Sequence, residues 1–529
     1  MSRLSALRDL ARRGRGHAFR SRRHLGDRLR RTGWATRHAG VLTSFDTWAY
    51  LDDLTGQLSA LLERHGIAHL ILDRGVEPMP RVAIGAPDVQ KFARALATAG
   101  ADWWIAPIRG EIVGHARWAG RPSRLGRADG AMVLRNLLSP SGVQLTDTEL
   151  GVEVGFWTVL DAPQPRSGGG ELPAGTLVAP TTNGVLDYLD AEQWTAAQQA
   201  GHRLPPSPPH LLRLNEPVDL VYTWVDGDDP AWAARKAQAL GRPTKADHSH
   251  DAVIDVRFAD RDELRYSLRS VEMFAGWARR IWIVTDRQRP EWLVPDDRLT
   301  VVDHREIFAD PGALPVFNSH AIESQLHHID GLAEKYLYLN DDMLFGAPVT
   351  PELFFGGNGV SSLLLSLALI DPAPLTESDN AVTAAAKNNR ALLEREFGRT
   401  ITNKLWHTPQ PHSRALMEEF EASHPALFDT VMRSRFRSVT DHSLTSSLDA
   451  YYAFATGRAA TAKLRYGYLD LGSRDPWTTL EQWLRRRELH CFCVNDGTSN
   501  PATRAATSAA LAEFFEAYFP LPSRWERTG

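Results

Sequence analysis

Between Val218 and Asp342, short runs of strand-forming residues alternate with helix-length amphipathic stretches. That alternation restricts this part of the chain to an α/β architecture built on a doubly wound, mostly parallel sheet. Residues 218–225 read as a first strand, broken by Asp226-Gly227-Asp228-Asp229-Pro230, and Pro230 opens a helix over 231–240. After Arg257-Phe258-Ala259-Asp260 a second helix carries Leu264, Leu268, Val271 and Phe274 on one stripe, with Arg265 and Arg269 on another face. Strands follow at 281–285 and 299–303. The glycine-rich GxGxxG turn is absent, which disfavours a dinucleotide. Acids stand at successive strand ends: Asp226, Asp286, Asp303 and Asp342. Open α/β sheets bind ligands at that edge.

The stretch 314–346 concentrates the chemistry. Ser319 is placed to cap a helix in which Ile322, Leu326 and Ile329 share a dry face and Glu323 and His327 a polar one. After the Asp330-Gly331 turn, Tyr336-Leu337-Tyr338-Leu339 suits a buried strand that stops at Asn340-Asp341-Asp342. On spacing alone the paired acids are a solvated turn. Beside three other strand-end acids they suit a shared hard cation, Mg²⁺ or Mn²⁺ rather than zinc.

Downstream, a helix is expected over 384–397, with Asn388-Asn389-Arg390 on its polar face. The prolines of 405–412 fix an irregular segment carrying His407, either a proton acceptor near neutral pH or a hydrogen-bonded surface group. Arg433, Arg435 and Arg437 either clamp phosphate or line a solvated edge before a helix over 441–455. A last strand ends at Asn495-Asp496. It holds the chain's 2 cysteines, Cys491 and Cys493, too close along one strand to bridge and without a second pair to bind zinc.

Upstream, four regions are read: a basic arm over 1–40, a small α/β or α+β domain over 41–160, a Pro/Gly-rich linker over 161–210, and a catalytic domain over 211–529. Arginines crowd the arm against only Asp9 and Asp27, making it either a solvated tail or a contact for an anionic membrane surface. A net charge of -4 argues against a protein built as a whole for nucleic acid. Free cysteines, no apolar run of roughly 18–20 residues and no secretory leader point to the cytoplasm, with the inner face of the membrane as the place for such an arm.

DLVYTWVDGDDPAW at 219–232, the segments 257–293 and 314–346, HTPQPH with the arginine segment, and CFCVNDG together resemble the four signature regions of the Stealth family. That family comprises bacterial capsular polysaccharide phosphotransferases and the eukaryotic enzyme that transfers N-acetylglucosamine-1-phosphate. The resemblance implies a nucleotide-diphospho-sugar-transferase-like, Rossmann-like catalytic domain with a helical insertion. It implies transfer of hexose-1-phosphate or N-acetylhexosamine-1-phosphate from a UDP-sugar to a hydroxyl of a glycan or lipid-linked glycan, releasing UMP. By motif position Glu323, Asp342, His407 and Arg437 match residues implicated in catalysis. Trp224, Asp226, Arg265, Asn318, Asn340 and Asn495 are assigned to the donor, and Asp341, Asp342 and Asp496 to the divalent metal. Some relatives carry Asn in place of Asp226, so its charge is expected to be dispensable. The rival expectations are a metal-dependent glycosyltransferase releasing UDP and a non-catalytic module that binds membrane or nucleic acid through the arm.

Overall fold

The computed structural model describes residues 38–73, 79–110, 112–120, 125–166, 168–181, 183–205, 208–241, 258–495 and 504–527. All but the last residues of the basic arm, and Asp496 with its metal assignment, lie outside the described residues. Two compact units are present: Met1–Arg213 with Glu516–Leu521, and Leu214–Phe515 with Pro522–Gly529. Among the described residues no helix is long and apolar enough to cross a membrane.

In the first unit, Asp46 caps α1 (Thr47–Arg64) by accepting from the Trp48 and Ala49 amides, and the helix buries Leu51, Leu54, Leu58 and Leu62. Its sheet contains β1 (His69–Leu72), β2 (Arg81–Gly85), β3 (Trp103–Arg109), β4 (Gly130–Arg135) and β5 (Val152–Val159). Their order is β1-β2-β5-β4-β3, with only β2 and β5 parallel. The helix α2 (Val89–Leu96) follows β2. The stretch expected to be a linker is instead largely folded into this unit. There β6 (Leu177–Val178) pairs with β5, and β7 (Tyr188–Leu189) pairs with β6. An Asp190 capping box then starts α3 (Ala191–Gln199), whose Gln198 bonds both the amide and the carbonyl of His69. The glycines make tight turns rather than a spacer: Gly169, Gly170 and Gly175 all adopt positive φ.

The second unit centres on a sheet of β8 (Val218–Thr223), β9 (Ile281–Thr285), β10 (Leu299–Asp303), β11 (Lys335–Asn340) and a later strand, Gln410–Ser413. β10, β9, β8 and β11 run parallel in that order, and the later strand closes the edge antiparallel to β11. This is the doubly wound α/β arrangement expected, and the order reverses between β8 and β11. Every residue of β8 except Thr223 is buried, as a strand covered on both faces requires. Asp229 caps α4 (Pro230–Leu240), and α5 (Glu263–Phe274) is buried along its length. Arg269 of α5 holds Glu526 through two bonds of 2.8 and 2.7 Å.

The expected helix from Ser319 is shorter than its apolar spacing suggests. Asn318 is the cap, α6 spans Ser319–Glu323, and a single 3₁₀ turn follows at Leu326–His328. Ile329 and Leu326 still enter the core, against Tyr336 and Tyr338. Beyond β11 the chain forms β12 (Met343–Phe345), β13 (Leu365–Leu369), α7 (Ala381–Phe397), β14 (Asn403–Leu405), the edge strand β15 (Gln410–Ser413), α8 (Arg414–Ser423) and α9 (Pro425–Met432). The helix expected over 441–455 is only partly regular: a π-helical turn, Leu444–Leu448, leads into α10 (Asp449–Ala455). Then β16 (Tyr466–Asp470) pairs with β17 (Cys491–Asn495), which also pairs with β12.

Candidate active site

The carboxyl ends of β8 and β11, side by side through Thr223 and Asn340, open into a cleft of about 1180 Å³. This is the point of strand-order reversal, where such sheets leave a crevice. Trp224, Glu323, Asn340, Asp341, Asp342, His407, Arg437 and Asn495 all line it.

Glu323, at the end of α6, is 2% exposed. Its Oε1 accepts from the Tyr338 hydroxyl at 3.2 Å, and its Oε2 accepts a short bond from Ser446. Thr445 Oγ1 donates to the Glu323 carbonyl at 2.7 Å, so the π-helical turn holds this residue twice. Such turns recur at functional sites because they re-aim a helix face by one residue. Tyr338 also lies 3.0 Å from Thr223 Oγ1, linking the β8 end to Glu323. Arg437 donates from Nη2 to Ser319 Oγ at 2.6 Å, the one hydrogen bond it makes among the described residues. Burial draws its pKa down, while Glu323, Asp441 and Tyr338 oppose that shift. Most of its planar donors are left for an anionic ligand.

Asp342 faces His407, with Oδ1 3.6 Å from Nε2. Its Oδ2 accepts from Cys493 Sγ at 3.2 Å. Partial desolvation in the cleft disfavours charge on His407, whose side chain is 45% exposed, but Asp342 outweighs it and holds the imidazole pKa above its ordinary value. Both cysteines are free and buried, and burial first, Asp342 second, pushes the Cys493 thiol well up. Protonated, Cys493 is a hydrogen-bond donor rather than a soft metal ligand, although Asp342, His407 and Cys493 place ligand atoms within 4.8 Å of one another.

A hard cation fits better. Asp342 Oδ1 is buried and accepts no hydrogen bond. Burial, then Asp342, Glu263 and Asp260, pushes the Asp341 carboxyl well above its usual range. Burial and the neighbouring Asp262 raise Asp260 to about 6, and burial raises Glu263 to about 7 despite a bond from the Arg261 amide. Asp341 is thus crowded by three neighbouring carboxyls, of which Glu263 has Arg261 at 3.6 Å, and the unpaired Asp342 oxygen together with Asp341 makes the pair of hard oxygen ligands a divalent cation would take.

Several expected residues are placed elsewhere. Asn318 is fully buried: its carbonyl caps His320, and its Nδ2 donates to Ser434 and, at 2.8 Å, to Asp441. Arg265 pairs with Asp262 at 3.1 Å and lies over the Trp292 ring, outside the cleft lining. Asp226 closes its own turn by accepting from the Asp228 amide, and it too is absent from the lining. The strand-end acids converge less than their spacing suggests, because turn chemistry claims them: Asp303 caps a short helix and binds Arg305, and Asp286, though at the cleft, binds Arg235 at 2.8 Å. His327 turns away to Glu421.

Asp260, Glu263, Tyr338 and Ser446 were not marked by the sequence reading. The acids of Asp260-Arg261-Asp262-Glu263 just before a helix are the only signal that could have shown them, and a helix start explains such acids equally well. Asn495 donates to the Tyr468 hydroxyl at 2.7 Å, so this wall of the cleft is partly aromatic.

Comparison with known proteins identifies the family. The four Stealth protein conserved regions match in order, region 1 at residues 216–243, region 2 at 257–363, region 3 at 406–454 and region 4 at 482–529. An exopolysaccharide phosphotransferase of Streptomyces coelicolor is 39% identical over 495 residues, covering 88% of this chain and 80% of the relative. A second from that organism is 43% identical over 390 residues, covering 72% and 71%. The exopolysaccharide phosphotransferase CpsY of Mycobacterium tuberculosis is 35% identical over 398 residues, covering 74% and 72%. A solved galactosyltransferase holding donor and acceptor sugar analogues covers 57% of this chain and 96% of its own, at 12% identity and a TM-score of 0.28, too loose a superposition to weigh. With all four conserved regions in order and long relatives of this identity, the chain belongs to the Stealth family.

Proposed function

We propose that the chain is a sugar-1-phosphate transferase of exopolysaccharide synthesis, moving hexose-1-phosphate or N-acetylhexosamine-1-phosphate from a UDP-sugar to a glycan or lipid-linked glycan hydroxyl. The observation that carries this reading is the meeting of Glu323, Asp342, His407 and Arg437, from four separate segments, on one cleft at the sheet's reversal point. The acceptor oxygen forms a bond to the sugar-linked phosphorus while the diphosphate P–O bond breaks, and UMP leaves with the electron pair. Charge therefore builds on phosphoryl oxygens. Arg437 meets it with paired N–H donors, and Ser319 and Glu323 keep that guanidinium in place. Asp342 and Asp341 would hold Mg²⁺ or Mn²⁺, whose charge offsets that of the phosphoryl group. Nε2 of His407 faces Asp342, so Nδ1 is the nitrogen left to take the acceptor's proton, a role worth about 10² to 10⁴ in rate. Glu323, already accepting from two hydroxyls, positions rather than abstracts.

Product analysis tests the reading. Purified protein, a panel of UDP-sugars, Mg²⁺ or Mn²⁺ and glycan acceptors should yield acceptor-dependent UMP; UDP would mean glycosyl transfer and overturn it.

A further inference from the structure

Among the described residues two clusters of metal-binding side chains lie outside the cleft lining, Glu63 with His69 and His202 in the first unit and His327 and His328 with Glu421 in the second. His327 and His328 end the 3₁₀ turn after α6, and both direct Nε2 at the same oxygen of Glu421 on α8, at 2.7 and 2.8 Å. All three ligand atoms lie within 4.8 Å of one another. His327 is buried, whereas the His328 and Glu421 side chains are 27% and 25% exposed, so an ion from solvent can reach them.

The tautomer of His328 is fixed from its other side. Nδ1 lies 3.0 Å from the Ile307 carbonyl oxygen, which can only accept, so Nδ1 carries the proton. In neutral His328, Nε2 is then a lone pair aimed at a carboxylate oxygen, two acceptors face to face. Either a second proton or a metal ion must lie between them. An imidazole whose far nitrogen donates to a backbone carbonyl is the usual setting of a metal-bound histidine.

We propose that His327, His328 and Glu421 form a Zn²⁺ site, distinct from the hard-cation site of the cleft. Two imidazole nitrogens and one carboxylate oxygen supply three positions of a tetrahedron, with the fourth open to water. Bonds of about 2.0–2.1 Å to zinc put ligand atoms roughly 3.3 Å apart, so the cluster opens by about half an ångström on binding. The ion would tie the turn after Glu323 to α8. The Phe428 ring of α9 stands edge-on to His327 at 6.0 Å and closes the buried side.

The test is calorimetric titration of the chelator-stripped full chain with Zn²⁺, in millimolar Mg²⁺ to occupy the cleft. One Zn²⁺ should bind per chain and raise the melting temperature. His328→Gln and Glu421→Gln should each weaken binding at least tenfold, whereas Asp342→Asn should leave it unchanged. Absence of zinc binding, or binding that His328→Gln and Glu421→Gln leave unchanged, overturns the site. Metal-free melting curves show whether each variant is folded, and Glu421→Gln, nearly isosteric, serves if His328→Gln is not. None of these readouts depends on transfer activity.

Discussion

Asp342 Oδ1 and His407 Nε2 stand 3.6 Å apart, an ion-pair separation too long for a hydrogen bond. The contact nonetheless keeps the His407 pKa above its ordinary value, against the partial desolvation that opposes it. The stabilisation of the charged pair is therefore complete below the ordinary histidine value and is lost as pH rises through the raised one. Only neutral His407 accepts a proton, so kcat/KM should climb through that same raised value. Asp342→Asn should move the imidazole titration to lower pH, read by NMR, and cut turnover by about 10²-fold or more. An unmoved titration would sink the coupling.

Glu323 separates positioning from packing. Glu323→Ala strands the Tyr338 and Ser446 hydroxyls and should destabilise the fold by about 1–3 kcal/mol, measured by urea unfolding. Glu323→Gln should keep most of that stability, because the hydroxyls can reorient, yet lose transfer as Arg437 loses its nearby anion. Full activity in Glu323→Gln would remove the carboxylate from the mechanism.

Cation binding should release protons. Asp260 and Glu263 titrate at about 6 and about 7, mainly through burial, so both are partly protonated near pH 6.5. Raised carboxyl pKa values weaken the fold as pH climbs above the ordinary carboxylate range, and a bound divalent ion relieves that cost. Calorimetry with Mg²⁺ in buffers of different ionisation enthalpy should show proton release near pH 6.5 that disappears above about pH 8. Chelation should abolish transfer, and Mg²⁺ should restore it.

Asp219 should be a structural keystone without catalytic consequence. Fully buried in β8, it accepts from Arg279 at 2.8 and 2.6 Å, from the Trp282 indole at 2.9 Å, and from the Arg280 and Ala333 amides. Asp219→Ala leaves those donors unpaired and should cost about 3–5 kcal/mol, visible as a lower melting temperature for the second unit. A melting curve like that of the parent chain would contradict this.

The alternating strands were readable because β8, β9 and β11 are buried on both faces and so appear as near-continuous apolar runs, while the edge strand β10, with Thr300 exposed, keeps enough β-branched residues to show. Asp342 was readable as the acid that follows the β11 run, whereas His407 and Arg437 stand in irregular segments and were marked as catalytic only by their position in the Stealth motifs. Asn318 and Asp303 misled for one reason: a helix cap and a ligand contact favour the same short polar residues, and local spacing does not tell them apart. The π-helical turn that seats Glu323 has no periodic signature, and the contact between Ser446 and Glu323 joins residues too far apart in sequence for any local pattern.

The antiparallel pairing of β15 with β11 sets Tyr338 opposite Gln410. His407, three residues before Gln410, and Asp342, four after Tyr338, therefore arrive on the same side of the sheet whatever the intervening chain does. The excursion from β12 through β14 is a modular insert hung between two fixed posts. Lengthening it costs little loop-closure entropy, on the order of 0.6 kcal/mol per doubling. It also supplies Ser366, Ala368, Asn380 and Lys404 to the cleft wall. Exchange of that insert alone would re-cut the mouth of the cleft while Asp342 and His407 keep their mutual geometry.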